Sequence, residues 1–429
     1  MVLKLSMVLA LVFAYMIPAG SVFASDDALA SQGALGWADC VREAAKNHPD
    51  LISAKESIVQ QEAAKAIAGS GRWPQASANM NAGSSWSGST GSANSFSYGV
   101  SGSQLIFDGF KTSNTVQSSV ENVKAAQEGY LFTSATVRYR LRSAFVNLLK
   151  AQELQALTQE IYNIRKSNLD LIELRYKSGM EHKGALLTSQ ANVSQAQFNI
   201  DQARRGLESS RQQLIKELGR VKYSSVTVSG SFDAGVVDAR KPDLAALAAN
   251  NPSLLKIDAQ KKSAEFSLKA SRGDFWPEVS LTGDVSRSDI HWPAEKQGSG
   301  AGVQVSLPLF EGGARMARLD QAKSSYRQLI EQERSTKDGI ILSLEQAWDS
   351  YRDSVDTVGV QKAFLDAAEE RAKIARQQYT VGLVTFDDWT IIEDGLVSSK
   401  LSYLNAQAQA LLAEASWVQA KGETLVYEK

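Results

Sequence analysis

From Gln75 the chain alternates with a period of two. Ala76, Ala78, Met80 and Ala82 share one face, and Ser77, Asn79, Asn81 and Gly83 share the other. Phe96, Tyr98 and Val100 then alternate with Ser97, Gly99 and Ser101. The second half of the chain repeats the pattern more sharply. Val279, Leu281 and Val285 oppose Ser280, Thr282 and Asp284; Ala301, Val303, Val305, Leu307 and Leu309 oppose Gly300, Gly302, Gln304 and Ser306. Such alternation predicts strands with one apolar and one polar face. They pair as two hairpins, about 74–107 and 277–310, with the Ser/Gly-rich stretch 87–95 and residues 287–298 as the connecting loops.

After each hairpin the period becomes helical. Val137, Leu141, Ala144, Leu148, Ala151, Leu154, Leu157, Ile161 and Ile164 step by three and four. The spacing predicts helices over 49–69, 111–176 and 186–218, with a break at Gly179, and over 314–379 and 391–421, with a break at Gly382. A helix over 111–176 would be about 100 Å long at 1.5 Å per residue. The three–four stepping predicts coiled-coil-like antiparallel packing. The alanines at 406, 408, 410, 413 and 415 permit close helix approach. Proline agrees: the chain has 8 in 429 residues, none of them within 75–241 or 309–429. Proline removes an N–H and clashes with the preceding turn, so these runs leave room for very long helices.

The two halves are in register. Asn47 and Pro49, Trp73-Pro74, Gly99-Val100, Phe107-Asp108-Gly109, and Tyr176 with Gly179 recur as Asn250 and Pro252, Trp276-Pro277, Gly302-Val303, Phe310-Glu311-Gly312, and Tyr379 with Gly382. Every pair is separated by 203 positions. The chain therefore divides into a first repeat over 25–230 and a second over 231–429 with the same order of elements. Residues 1–24 read as a signal peptide: Lys4 is the only charge before Asp26, residues 5–17 are apolar but for Ser6, and Val22-Phe23-Ala24 offers a small-residue cleavage site. That core is shorter than the roughly 20 apolar residues a spanning helix needs.

Charge and composition narrow the function. Lys and Arg number 46 against 47 Asp and Glu, a net charge of −1, which argues against a nucleic-acid partner. The lone Cys40, expected as a buried free thiol, excludes a disulfide framework and a cysteine zinc site. Of three histidines, His182 has no neighbouring His or Cys to complete a metal site. The chain holds no His-Glu-x-x-His, Gly-x-Ser-x-Gly or Gly-x-x-x-x-Gly-Lys motif, so no enzyme activity, metal or cofactor is expected.

Strands of this length suit a tilted transmembrane barrel, where about 9–11 residues suffice. An apolar exterior and a wet lumen account for the two faces. Four strands cannot close, and an open edge in lipid is too costly, so several chains must share one barrel. Trp73, Phe107, Trp276 and Phe310 fall at the helix-side ends of the strands, as an interfacial girdle requires, with Trp86, Trp292 and Phe96 toward the far side. The rival reading is a helical coiled-coil protein with two hairpins capping one end. It leaves the export signal and the four alternating strands unexplained.

The doubled Asn-x-Pro, Trp-Pro, Phe-(Asp/Glu)-Gly and Tyr-x-x-Gly, in their duplicated order, resemble the TolC-like outer-membrane efflux protein family over nearly the whole mature chain. The resemblance implies an α+β membrane protein whose homotrimer forms a shared 12-stranded barrel in the outer membrane of a Gram-negative bacterium and a periplasmic α-helical tunnel. It further implies a periplasmic adaptor (membrane fusion) protein and, through it, an inner-membrane pump or transporter. On this reading the chain is the passive exit duct of a tripartite efflux or type I secretion system. The alternative is a non-conducting, periplasm-spanning envelope scaffold. The family's tunnel entrance lies at the helix turns after Tyr-x-x-Gly, where acidic residues often ring it. Asp388 matches that acidic position, with Asp387 beside it; three positions beyond Asp388, where another acid is common, stands Ile391. The first-half turn contributes Glu181, His182 and Lys183, a mixed-charge loop. As first-turn residues, Asp387 and Asp388 also suit the helix dipole. The helix tips at Tyr176, Ser178, Gly179, Met180, Tyr379, Val381, Gly382 and Leu383 are the expected adaptor contacts.

Overall fold

The computed structural model describes residues 34–88, 91–221, 225–233 and 240–425. The expected signal peptide, 1–24, lies outside the described residues. The elements in order are α1 (Trp37–Asn47), α2 (Pro49–Ser70), β1 (Gln75–Ser87), β2 (Gly91–Phe107), α3 (Lys111–Lys177), α4 (Lys183–Leu218), α5 (Leu244–Ala249), α6 (Pro252–Gly273), β3 (Glu278–Asp289), β4 (Lys296–Ser306), α7 (Ala314–Thr380) and α8 (Phe386–Ala420). None of the helices among the described residues is long and apolar enough to cross a membrane.

Proline at the first helical position starts α2 and α6, where its missing N–H costs nothing. The residue before it caps each helix. His48 Nδ1 accepts from Asp50 N at 3.1 Å, and Asn251 Oδ1 accepts from Ser253 N at 2.9 Å. These caps are 203 positions apart, and so are Gly219 (φ 75°) and Gly422 (φ 80°), which turn the chain beyond α4 and α8. Each glycine is pressed against the cap of its own half. A Cβ on Gly219 would lie 2.4 Å from Asn47 O, and one on Gly422 would lie 2.6 Å from Pro252 Cδ.

The long helices α3 and α7 have 67 residues each. On the side of the hairpins, α2, α3, α6 and α7 form one layer in that order. On the other side, α4 packs along α3, α3 against α8, and α8 along α7. Buried side chains form a chain of clusters along these layers. One contains Cys40, Leu141, Leu148 and Leu214; a second contains Leu344, Trp348 and Trp417, with the two indoles edge to face at 5.2 Å.

The strands form one antiparallel sheet in the order β1-β2-β3-β4. The hairpins run further than the alternation suggested. Ser87 pairs with Gly91 and Ser288 with Lys296, so the two connections are shorter than the stretches 87–95 and 287–298. Serine and glycine are poor strand formers in isolation, but the ladder carries them once the neighbouring pairs are set. At the other end β4 stops at Ser306, two residues before Pro308, which has no N–H to give a ladder. Cross-strand pairs place Ala78, Val100 and Val285 on one face and Ser77, Ser101 and Asp284 on the other. A bulge between Leu105 and Phe107 turns Phe107 beside Val279, on the apolar face.

Candidate functional site: the helix tips

The turns between α3 and α4 and between α7 and α8 are built alike. Gly179 (φ 73°) and Gly382 (φ 80°) adopt the left-handed conformation that suits glycine. Met180 N then donates to Arg175 O and Leu383 N to Gln378 O, both at 2.9 Å, closing a Schellman-type cap on each helix. The return helices begin at His182 and Thr385, again 203 positions apart. His182 Nδ1 accepts from Ala185 N, and Thr385 Oγ1 from Asp388 N, each at 3.1 Å. Both return helices therefore start earlier than the periodicity indicated, at Lys183 and Phe386.

All four helices converge here on one apolar cluster: Ile172, Ala185, Ala375, Tyr379, Phe386 and Trp389. Tyr379 and Trp389 stack with centroids 4.4 Å apart and planes 10° from parallel. The Arg175 guanidinium covers the tyrosine ring at 4.7 Å. Its Nη1 donates to Tyr379 O at 3.2 Å. The phenol donates to Glu181 Oε2 at 2.6 Å, and Arg175 Nε lies 3.9 Å from the same oxygen. Burial first, and then the Glu181 carboxylate, push the Tyr379 phenol well above its ordinary range.

The acidic residues differ in setting. Asp387 and Asp388 are exposed in the first turn of α8. The Asp388 carboxylate accepts from Thr385 Oγ1 at 2.7 Å, so it is part of a local cap. The Glu181 side chain is only 9 % exposed, enclosed by Arg175 and Tyr379. His182 rests edge-on against Phe386 at 6.4 Å, and Lys183 is exposed.

Met180, Val381 and Leu383 project into solvent, 62 %, 70 % and 75 % exposed, and Tyr176 is 38 % exposed. The Ser178 hydroxyl donates to Leu174 O and Arg175 O. Tyr379, expected as a surface contact, is 1 % exposed; its stack on Trp389 withdraws it. The two equivalent tyrosines thus have different fates. Arg175, Phe386 and Trp389 were missed from sequence. Trp389 in the helical run after Gly382 was the available signal, because the first-half equivalent position is Leu186.

At the strand ends near the helices, Trp73, Trp276 and Phe310 are 71 %, 61 % and 89 % exposed. Phe107 meets Phe110 at 5.7 Å and Trp276 at 6.5 Å, edge to face in both cases. At the far end Trp292 packs edge-on against Phe96 and Tyr98. Among the described residues no group of three or more His, Cys, Asp or Glu could hold a metal ion.

The family model for outer membrane efflux proteins matches residues 40–220 and again 244–425. The chain is 22 % identical over 409 residues to the outer membrane efflux protein BepC of Brucella suis, covering 94 % of this chain and 89 % of the relative. It is 23 % identical over 418 residues to the alkaline protease secretion protein AprF of Pseudomonas aeruginosa, covering 88 % and 83 %. The open state of the MtrE outer membrane channel of Neisseria gonorrhoeae superposes with a TM-score of 0.79 at 18 % identity, covering 96 % of this chain and 98 % of that one.

Proposed function

The chain belongs to the outer membrane efflux protein family, and from that premise we propose that three copies form one continuous duct, a shared barrel in the outer membrane above a helical tunnel in the periplasm of a Gram-negative bacterium. The observation that carries the reading is that each layer of the chain is four elements wide and open at both edges. The sheet ends in β1 and β4, the upper helical layer in α2 and α7, and the lower in α4 and α7. In lipid an unpaired strand edge cannot persist, so β1 must pair with β4 of a neighbouring copy. First-half edges then meet second-half edges all round, and three copies supply twelve strands.

The helical edges carry the apolar side chains such contacts need. Phe198 on α4 is 53 % exposed, and Val360 and Phe364 on α7 are 53 % and 62 % exposed. Phe198 lies 15 residues above the start of α4, and Phe364 16 residues above the end of α7. They therefore sit at one height on opposite edges, about 23 Å above the tip. A Phe198→Cys/Phe364→Cys double variant should give covalent dimers and trimers on oxidation in detergent, while each single variant stays monomeric on a denaturing gel. A double variant that yields monomers only overturns this assembly.

In this trimer Trp73, Phe107, Trp276 and Phe310 form the inner-interface girdle, in contact with outer-membrane lipid. The two repeats, 25–230 and 231–429, follow the removed signal peptide, 1–24. Six tips, each a turn between two helices and one from each half of each chain, surround the tunnel entrance. Met180, Val381 and Leu383 are the adaptor-facing positions, and the adaptor couples the duct to an inner-membrane pump or transporter. Asp387 and Asp388 supply negative charge around the entrance. A purified trimer that inserts in a planar bilayer without conducting would favour the scaffold alternative over a duct.

A further inference from the structure

We propose that Asp284 is the charge filter of the barrel, favouring hydrated cations and ammonium-bearing cargo over anions; the proposal rests on the trimeric-duct reading above. Register places Ser77, Ser101, Asp284 and Gly300 in one row across the polar face. The Ser77 and Ser101 hydroxyls are hydrogen-bonded at 2.9 Å. A Cβ on Gly300 would come within 3.0 Å of Asp284 Oδ1, so the carboxylate lies across the space that glycine leaves open. The adjoining rows are Gln75, Ser103, Thr282 and Gly302, and Asn79, Gly99, Ser286 and Gly298. Gln75, Ser77, Ser101, Ser103, Thr282 and Asp284 help line a concavity of about 410 Å³ on this face. Its polar side chains are hydroxyls, an amide and one carboxylate, set among Ala76, Gly102 and Gly283.

The charge is isolated. Among the described residues the polar face carries two other ionisable side chains, Glu278 at the near end of β3 and Lys296 at the far end, opposite Ser288. Asp284 is six residues from Glu278 and four from the level of Lys296, about 20 Å and 14 Å at 3.4 Å per residue. Both exceed the Debye length of about 10 Å at 0.1 M salt. No cationic side chain on the polar face therefore lies close enough to neutralise Asp284, Arg287 of the same strand being on the opposite face, and in the trimer three copies face one aqueous lumen. Such a ring concentrates cations locally and repels anions.

The test is the reversal potential of single trimers in a potassium chloride gradient, in an Asp387→Asn/Asp388→Asn background that removes the two exposed entrance carboxylates. The parent should prefer potassium. Asp284→Asn should lower the potassium-to-chloride permeability ratio by roughly twofold or more, and Asp284→Lys should bring it below one. Asp284→Cys gives an independent readout. A negatively charged methanethiosulfonate should restore the preference and a positively charged one invert it. The native Cys40 is buried, its thiol pushed up to about 12 by burial, so it does not react in the folded chain. Conducting channels with one unchanged ratio across all these forms overturn the role of Asp284. A parent that forms trimers and passes no current overturns the duct itself.

Discussion

The Tyr379 hydroxyl donates to Glu181 Oε2 at 2.6 Å, joining a side chain at the end of α7 to one in the α3–α4 turn. This bond crosses from the second helical hairpin to the first. Arg175 backs it by holding the tyrosine ring, the Tyr379 carbonyl and the Glu181 carboxylate together. The tip is thereby a single tied unit.

Tyr379→Phe keeps the stack on Trp389 and removes only the donor. It leaves an enclosed carboxylate short of one hydrogen bond, at a cost of about 1–3 kcal/mol. Thermal unfolding should show the loss. Because the phenol is raised in the folded chain above its ordinary value of 10.0, the folded state holds the proton longer than the unfolded state does. The contribution is complete below pH 10 and declines as pH rises beyond it. The parent should therefore lose stability above pH 10 more steeply than Tyr379→Phe; parallel curves would contradict the coupling.

Two glycines with left-handed backbones should respond unequally to alanine. At Gly382 nothing lies within 4 Å of the added carbon, so Gly382→Ala meets only the backbone penalty, about 1–2 kcal/mol. At Gly109 the same carbon would lie 2.6 Å from Trp276 Cβ and 2.7 Å from Gly273 O. Gly109→Ala should cost several kcal/mol by denaturant titration, because backbone must shift as well. Equal losses would mean that the β2–α3 and α6–β3 junctions pack more loosely against each other than these distances require.

Asp388→Ala separates two roles of one carboxylate. Loss of its bond to Thr385 should lower stability by about 0.5–1 kcal/mol, as for other helix-start contacts. If its charge also faces the tunnel mouth, block of single-channel current by multivalent cations should weaken in the same variant. Reduced stability with unchanged block would leave Asp388 a helix cap only.

Cysteine placed at Met180 or Leu383 should label rapidly with a membrane-impermeant maleimide, because both side chains project freely. The same positions should crosslink to the adaptor in cells. Cysteine at Tyr379 should label slowly. A fast reaction there would show that the stack on Trp389 opens readily.

Much of this architecture is legible in the residues. Alternation gave the four strands, and the absence of proline gave the long helices. The ends were harder to read. His182 and Thr385 start helices several residues before the apolar stepping begins, since a cap works through one side chain and leaves no periodic trace. Phe107 reaches the apolar face only through a bulge, which simple alternation cannot register. The tied tip was out of reach for a different reason. Glu181 and Tyr379 are 198 positions apart, and their meeting depends on how two hairpins pack. Arg175 gave no local hint of its partners.

The duplication is also unequal where it counts mechanically. At the junction in the first half, His48 Nε2 lies 3.4 Å from the buried Glu217 carboxylate. The equivalent Asn251 donates instead to the Ala420 carbonyl at 3.1 Å. One junction is held side chain to side chain, the other side chain to main chain. Substitution at either His48 or Glu217 would therefore undo the first fastening, whereas the second is lost only through Asn251, because no substitution removes a carbonyl.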